Sequence, residues 1–417
     1  MHITHLSVTN FRCLARLEMD VPRRVILLLG GNAQGKTSVQ EAIFFLSCFT
    51  SFHTSVDRQL INSQAVKEAE KANRDPKSRE DEKRVVAKIS AHFRDDSRSR
   101  KIEVRLILEP VGFNSQRIRK EVLVDGVKKQ ISEAAGYFKA VLFIPQMSQI
   151  IEGGPEERRR YLNLALTQVF PGYARTLSDY NKALDQRNAL LKNLAESGGE
   201  VSQLEAWDKL LAEPGAKLIY WRNQALQEIE KQAARIHHRL TRGDEVLRIS
   251  YEPAYDPIQE PDGQLSLRIK TSMDRSGVER EEIENGFRER LGKLRREEIQ
   301  RGMTTTGPHR DEIRFLANGV DLGDYGSRGQ VRTTLLALKL AEVEWIRSRT
   351  GQAPVLLLDE VMAELDPQRR TDLLGYVDGL EQALLTTTDQ KLFSKDFIKT
   401  AQIWEVKAGM VNQTEIK

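Results

Sequence analysis

Residues 25–46 read Val-Ile-Leu-Leu-Leu-Gly-Gly-Asn-Ala-Gln-Gly-Lys-Thr-Ser-Val-Gln-Glu-Ala-Ile-Phe-Phe-Leu, and the rest of the chain is intelligible around them. The run 25–29 is short and wholly apolar, as suits a strand buried on both faces. Residues 30–37 satisfy G-x-x-x-x-G-K-[ST] at each fixed position, and helical periodicity begins at Ser38. Strand, glycine-rich loop and helix in that order are the context of a phosphate-binding loop. Gly30 and Gly35 allow the backbone to approach a phosphate with its N–H groups turned inward. Gly31, Asn32, Ala33 and Gln34 complete the cradle, and the helix opening through Ser38 adds the positive end of its dipole. Lys36 is expected on the outer phosphates of a nucleoside triphosphate, and Thr37 on a Mg²⁺ ion.

The complement to such a loop lies far along the chain. Residues 354–358 form another short apolar run, ending in Asp359-Glu360. Asp359 is expected to hold Mg²⁺ and Glu360 to orient or deprotonate the attacking water. Residues 326–330, Gly-Ser-Arg-Gly-Gln, open a long helix whose apolar side carries Val331, Leu335, Leu338 and Val343. Ser327 and Gly329 at its start suit a phosphate or, equally, an ordinary helix cap. Gln330 after the glycine, the acid pair beyond it and Asp366 a few residues later follow the order of an ABC-type ATPase, and the set is far more specific than any one part. Gln146 comes after a short apolar run at 140–144 and reads as a Mg²⁺ or water sensor or as a plain loop residue. Arg12 reads as a neighbour of bound nucleotide or as a surface arginine.

The long gap between Lys36 and Ser327 calls for a large insertion. The expected fold is α/β: an ABC-type ATPase head, with a phosphate-loop core and an antiparallel β-subdomain, carrying an inserted, mainly helical arm. The N-terminal part of the head is expected over 1–152, the arm over 153–301 and the C-terminal part of the head over 302–417. Within the head, 2–20 reads as a strand pair, and 85–93, 101–108 and 118–124 as antiparallel strands separated by turns. Residues 66–84 are almost all charged or small and read as a solvated loop or frayed helix. In the arm, Pro155 opens a helix. Leu177, Tyr180, Leu184 and Leu191 keep heptad spacing with Arg187 in one core slot, and Leu226, Ile229, Ala233, Ile236 and Leu240 repeat at three and four residues. His237-His238 falls in that helix and is expected at the surface. Residues 246–251 and 264–270 read as strands. Arg158, Arg159 and Arg160 form a basic cluster that suits phosphate, pairing with acids on the head, or a solvated helical turn.

Bulk properties limit the choice of function. The chain has 417 residues, 30% charged, 40% hydrophobic, with a net charge of +4. That charge permits a nucleic-acid partner without arguing for one. Two cysteines, Cys13 and Cys48, are too few for a disulfide framework or a zinc site and fit a reducing cytosol. No apolar run reaches the roughly 20 residues of a membrane span, and no signal segment opens the chain. A cytoplasmic protein without a membrane partner is expected.

The sequence resembles the RecF family of bacterial DNA replication and repair proteins along nearly its whole length. The resemblance rests on Asn10-Phe11-Arg12, the loop 31–37, Gly153-Gly154-Pro155 with Arg158 to Tyr161, Tyr180, Leu184, Gln186-Arg187-Asn188 and Trp207-Asp208. It rests also on Ser327-Arg328-Gly329-Gln330, on Leu358-Asp359-Glu360 and above all on Gly307-Pro308-His309-Arg310-Asp311, which is not general to ABC-type ATPases. It implies an ATP-binding clamp whose two copies close on two nucleotides, each held between Lys36 of one copy and Ser327 of the other. Closure would trap double-stranded DNA at gaps or single-/double-strand junctions, recombination mediator proteins would then load the recombinase, and slow, DNA-stimulated hydrolysis would release it. Gln146 stands where the family usually has an acid, and Ala363 where a serine is usual; both bear on hydrolysis rate or closure. An ABC-type mechanochemical or transport subunit that does not act on DNA is the alternative class.

Overall fold

In the computed structural model the described residues are 1–54, 56–74, 79, 83–95, 98–111, 115–258 and 274–413. The chain forms two compact units, Met1–Gln146 with Ile346–Lys417, and Met147–Trp345.

The first unit holds two six-stranded sheets. Its strands are β1 (His2–Phe11), β2 (Leu14–Asp20), β3 (Val25–Leu29), β4 (Val85–Asp95), β5 (Arg98–Val111), β6 (Ser115–Val124), β7 (Val127–Lys129) and β8 (Ala140–Phe143). The second unit contributes β9 (Leu247–Glu252), β10 (Glu312–Ala317) and β11 (Val320–Asp321), and the chain then returns to the first through β12 (Val355–Leu358), β13 (Ala383–Thr387), β14 (Gln402–Lys407) and β15 (Met410–Gln413). One sheet of the first unit runs β2-β1-β4-β5-β6-β7, antiparallel throughout. The other runs β15-β14-β3-β13-β12-β8, parallel except for β15.

Strands β8, β12 and β13 are short and apolar because both faces are covered, and they are buried at every residue. The helix Lys36–Cys48 touches β8 and β13 of one sheet and β1, β4 and β5 of the other. It is buried nearly all round, which explains its weak amphipathicity. Register sets the functional end of the sheet. Leu358 pairs with Phe143 and Leu385, and Leu29 with Thr387, so the carboxyl ends of β3, β8, β12 and β13 form one rim.

The second unit is built on helices Pro155–Val169, Tyr173–Ser197, Gln203–Leu240 and Arg280–Arg301, with the small sheet β11-β10-β9. Pro171-Gly172 separates the first two of these helices, with Gly172 at φ 85°. Pro214-Gly215 causes no break, and the helix runs through it for 38 residues. A Cβ on Gly215 would lie 2.6 Å from the Phe287 ring, so this glycine admits a packed aromatic from the helix Arg280–Arg301.

The sequence reading ends the arm at residue 301, whereas the second unit runs on to Trp345, because β10 pairs with β9 along its whole length. The polar stretch after Ile61 opens with a helix, Ser63–Arg74, and most of residues 75–82 lie outside the described residues. The strand expected at 264–270 also lies outside them. His237 is fully buried, not superficial, with Nε2 3.5 Å from Glu245 and 3.3 Å from Thr334 Oγ1; His238 is exposed. Arg187 is fully buried in its heptad slot and is matched there by charge. It meets Asp208 at 2.8 Å, Thr304 Oγ1 at 2.8 Å, and Glu298 at 2.7 Å in an ion pair without directed hydrogen-bond geometry.

Candidate nucleotide site

The loop 30–35 leaves the carboxyl end of β3 and turns into the helix Lys36–Cys48. Two of its glycines are required by different things. A Cβ on Gly30 would lie 2.3 Å from the Val406 carbonyl oxygen on adjacent β14, so backbone approach excludes any side chain. Gly35 sits at φ 110°, left-handed backbone that strains other residues, and its missing Cβ would meet Cys13 Sγ at 3.1 Å. Ala33 is also left-handed, at φ 60°. The turn between β14 and β15 buttresses the loop from outside: Gly409 N–H donates to the Gln34 carbonyl at 2.9 Å and Ala408 N–H to Gln34 Oε1 at 2.7 Å. Among the described residues, no backbone N–H from Gly31 to Thr37 is spent on another partner, which leaves a cradle of donors at a helix N-terminus.

Lys36 is buried, and its ammonium donates to the carbonyls of Gly30 at 2.7 Å and Gly31 at 3.0 Å. It also meets Glu360 Oε1 at 3.0 Å as a charge contact. Thr37 Oγ1 donates to Asp359 Oδ2 at 2.8 Å. The acid pair expected from β12 is therefore in place against the phosphate loop. Asp359 is further fixed by its own N–H, which donates to the Phe143 carbonyl at 2.9 Å. Gln40, one turn into the helix and fully buried, donates to the carbonyls of Leu358 and Leu384 at 3.1 and 2.9 Å, tying the helix to both central strands. A hydroxyl, a carboxylate and inward N–H groups around one lysine are the donor set that a Mg²⁺-nucleoside triphosphate takes.

The remaining candidates are less uniformly placed. Arg12, at φ 53°, spends its fork on Glu41 of the same helix, with two bonds of 2.8 Å, and on the Gln59 carbonyl at 3.0 Å. Gln146 is exposed just beyond β8, on the functional rim, and no contact joins it to Asp359 among the described residues. Asp366 caps the helix Pro367–Val377, accepting from the N–H groups of Gln368 and Arg369 at 3.0 Å each. The Arg369 N–H, with that residue's guanidinium, holds the Asp366 carboxyl below its ordinary range. Ser38 Oγ accepts from Cys13 Sγ at 3.3 Å.

Ser327, Gly329 and Gln330 lie in the second unit, at the start of the helix Arg328–Thr350. Ser327 Oγ accepts from Gln330 N–H at 3.2 Å while Gln330 Oε1 accepts from Ser327 N–H at 3.0 Å. This reciprocal pair is a capping box, so the plain-cap reading of the motif holds within the chain. It does not account for Gly329. That residue is exposed, and among the described residues, its chain neighbours and its own helix backbone aside, only Ser327 Oγ, at 3.9 Å, lies within 4 Å of where its Cβ would be. Among the described residues, nothing inside the unit calls for a glycine there.

The discriminating 307–311 stretch serves the interior of the second unit. Asp311 is buried; its Oδ2 accepts from Arg222 at 2.6 Å and Tyr251 at 2.5 Å, and its Oδ1 from Ala254 N–H at 3.1 Å. Gly307, at φ 118°, lets Tyr180 and Phe287 close on the backbone. His309 bridges Tyr180 and the Thr304 carbonyl, at 2.7 and 3.2 Å. Since a carbonyl only accepts, Nε2 carries the proton and Nδ1 accepts from Tyr180. Burial, with nearby arginines, pushes the His309 pKa down to about 4. Arg158 pairs with Glu312 at 2.7 and 2.9 Å, and Arg159 donates to the Asp311 carbonyl at 2.8 Å, so two members of the basic cluster are structural ties.

Known proteins share this fold. The family model described as the RecF/RecN/SMC N terminal domain matches residues 2–412. A solved structure of the Pyrococcus furiosus Smc head domain shares the fold, with a TM-score of 0.50 at 15% identity, covering 100% of this chain and 96% of that one. The DNA replication and repair protein RecF of Chloroflexus aggregans is 36% identical over 419 residues, covering 99% of each chain. That of an Exiguobacterium species is 32% identical over 416 residues, covering 100% of each. A structure described as the recombination mediator protein RecF with ATP in the RecFOR pathway superposes with a TM-score of 0.80 at 30% identity, covering 99% of this chain and 98% of that one. The head is that of an ABC-type, SMC-like ATPase. The chain belongs to the RecF family.

Among the described residues no helix is long and apolar enough to cross a membrane.

Proposed function

We propose that this chain is an ATP-gated DNA-binding protein of DNA replication and recombinational repair. Two copies close on ATP around double-stranded DNA at gaps or single-/double-strand junctions, help recombination mediator proteins load the recombinase, and let go on slow, DNA-stimulated hydrolysis. The reading is carried by the juxtaposition of Thr37 with Asp359 and of Lys36 with Glu360. The relatives described as DNA replication and repair proteins support it, as does the solved relative described with ATP.

In this reading the N–H groups of 31–37 and the Lys36 ammonium hold the phosphates. Thr37 and Asp359 are the residues that would hold Mg²⁺, which when bound supplies positive charge to the phosphate oxygens. Glu360 accepts the proton of the attacking water. Ser327 and Gly329 of a second copy supply donors from their exposed helix N-terminus, which gives Gly329 the reason it lacks within its own unit. Arg12 acts through Glu41, holding the phosphate-loop helix. Asp366 orders the segment after the acid pair, and Gln146 stands at the rim as a sensor. DNA is held through its backbone, with marked salt dependence.

The test is the light-scattering mass of the Glu360→Gln protein, with and without ATP-Mg²⁺ and a DNA duplex. The expected result is a monomer that becomes a dimer on ATP and then co-elutes with DNA, with turnover slowed about 100-fold or more. A protein monomeric in every condition would remove the two-headed mechanism. An ATP-dependent dimer indifferent to DNA would favour a mechanochemical or transport subunit.

A further inference from the structure

A hydroxyl buried at the end of a strand is costly unless its donor and acceptor functions are both met. Thr386, 1% exposed on β13, meets both within the acid pair. Its Oγ1 donates to Asp359 Oδ1 at 2.7 Å and accepts from the Glu360 backbone N–H at 2.9 Å. The other oxygen of Asp359 receives the Thr37 hydroxyl. The carboxylate is thus held between two hydroxyls, one from the phosphate-loop helix and one from the neighbouring strand. Glu360 needs support as well, since it sits at φ 54°, left-handed backbone that strains a non-glycine residue.

We propose that Thr386 is a positioning residue for the acid pair. It fixes the plane of the Asp359 carboxylate, with one oxygen toward Thr37, and fixes the peptide from which Glu360 projects. The inference rests on the ATP reading above. By occupying Oδ1, Thr386 leaves Oδ2 as the oxygen directed at Thr37 and the ion that pair would hold. By accepting from Glu360 N–H, it satisfies a donor that the turn after β12 takes out of the sheet ladder. Without the hydroxyl the carboxylate is held by Thr37 alone, and the N–H at 360 loses its partner. Valine has the β-branched shape and suits the strand, so the substitution removes the hydroxyl with little change in packing.

The experiment compares Thr386→Val and Thr386→Ser with the parent protein and with Asp359→Ala. Binding of a fluorescent ATP analogue is followed in EDTA and across a Mg²⁺ titration, and turnover is measured separately. Thr386→Val should bind as the parent does in EDTA, yet need about 10- to 100-fold more Mg²⁺ for the half-maximal effect, with turnover reduced by a similar factor. Thr386→Ser, which keeps the hydroxyl, should return both toward the parent. A parental Mg²⁺ midpoint in Thr386→Val would overturn the proposal, as would equal impairment of the valine and serine variants, which would reduce Thr386 to packing. Should Thr386→Val lose cooperative thermal unfolding, Thr386→Ala is read against Thr386→Ser in the same way. Asp359→Ala separates the two readings. If it also keeps the parental Mg²⁺ dependence, the ATP-site assignment fails; if it loses that dependence while Thr386→Val does not, only the role of Thr386 fails.

Discussion

The hydroxyl of Thr37 donates to Asp359 Oδ2 at 2.8 Å, joining residues 322 positions apart. One comes from the helix after β3 and the other from the end of β12, and the two strands are separated in the sheet by β13 alone. The parallel register brings both strand ends to one rim, where Lys36 and Glu360 also meet. The chemistry expected of each segment is thereby concentrated at a single place within the first unit.

Lys36→Ala removes the ammonium from this cradle, together with its bonds to Gly30 and Gly31. Nucleotide-dependent DNA binding should be abolished, while the fold, resting on the two sheets, stays intact by circular dichroism. ATP-stimulated DNA binding at the parental level would show that the phosphate site lies elsewhere.

Ser327→Arg places a long cation at an exposed helix start where only a capping box is lost within the chain. That loss costs about 1 kcal/mol of stability. ATP binding by the monomer should persist and ATP-induced dimerisation should fail. A dimer of normal stability by analytical ultracentrifugation would rule out a role for this motif across two copies.

Arg187 tests the interior of the second unit. Replacing it with leucine leaves Glu298 without its cation, while Asp208 keeps Arg295 at 2.6 Å. Loss of one partner from a buried pair costs about 3–5 kcal/mol, read as a fall in the denaturant midpoint. The double variant Arg187→Leu, Glu298→Leu should recover much of that loss, because the stranded charge is gone. Additive losses would show that Glu298 is not the group left uncompensated.

His309 gives a pH dependence of definite sign. Its pKa is about 4 in the fold against an ordinary 6.5. Between those values the unfolded chain binds a proton that the folded chain does not. Stability is therefore full above about pH 6.5 and is lost as pH falls toward 4, by at most about 1.4 kcal/mol per pH unit. Thermal melts of the parent and of His309→Gln across this window should differ in slope, the variant being flatter. Equal slopes would mean that His309 does not stay neutral in the fold.

Much of the head was legible in the sequence because its signals are local. A glycine-rich turn between an apolar run and a helix, an acid pair closing another apolar run, and alternating β-branched strands each announce themselves within a few residues. The positions of Gly30, Lys36, Thr37, Asp359 and Glu360 come from such patterns, and so does the ABC-type class. What the sequence could not show is what each residue touches. Gly30 is a glycine because Val406 approaches it from β14, and Arg12 is committed to Glu41. The stretch at 307–311 identifies the family yet serves a buried Arg222–Asp311 pair. His237 carries no local mark of burial, and Arg187 looked like an interruption until Asp208 and Glu298 met it. Thr386 was one of three consecutive threonines. These outcomes depend on which distant segment is brought alongside, and a hydrogen bond or ion pair across hundreds of residues leaves no period or spacing in the chain. The sequence by itself determined the elements and the chemistry they carry. The tertiary structure decided which side chains are already committed to one another, since burial makes a polar group costly without a partner and only the folded chain supplies one.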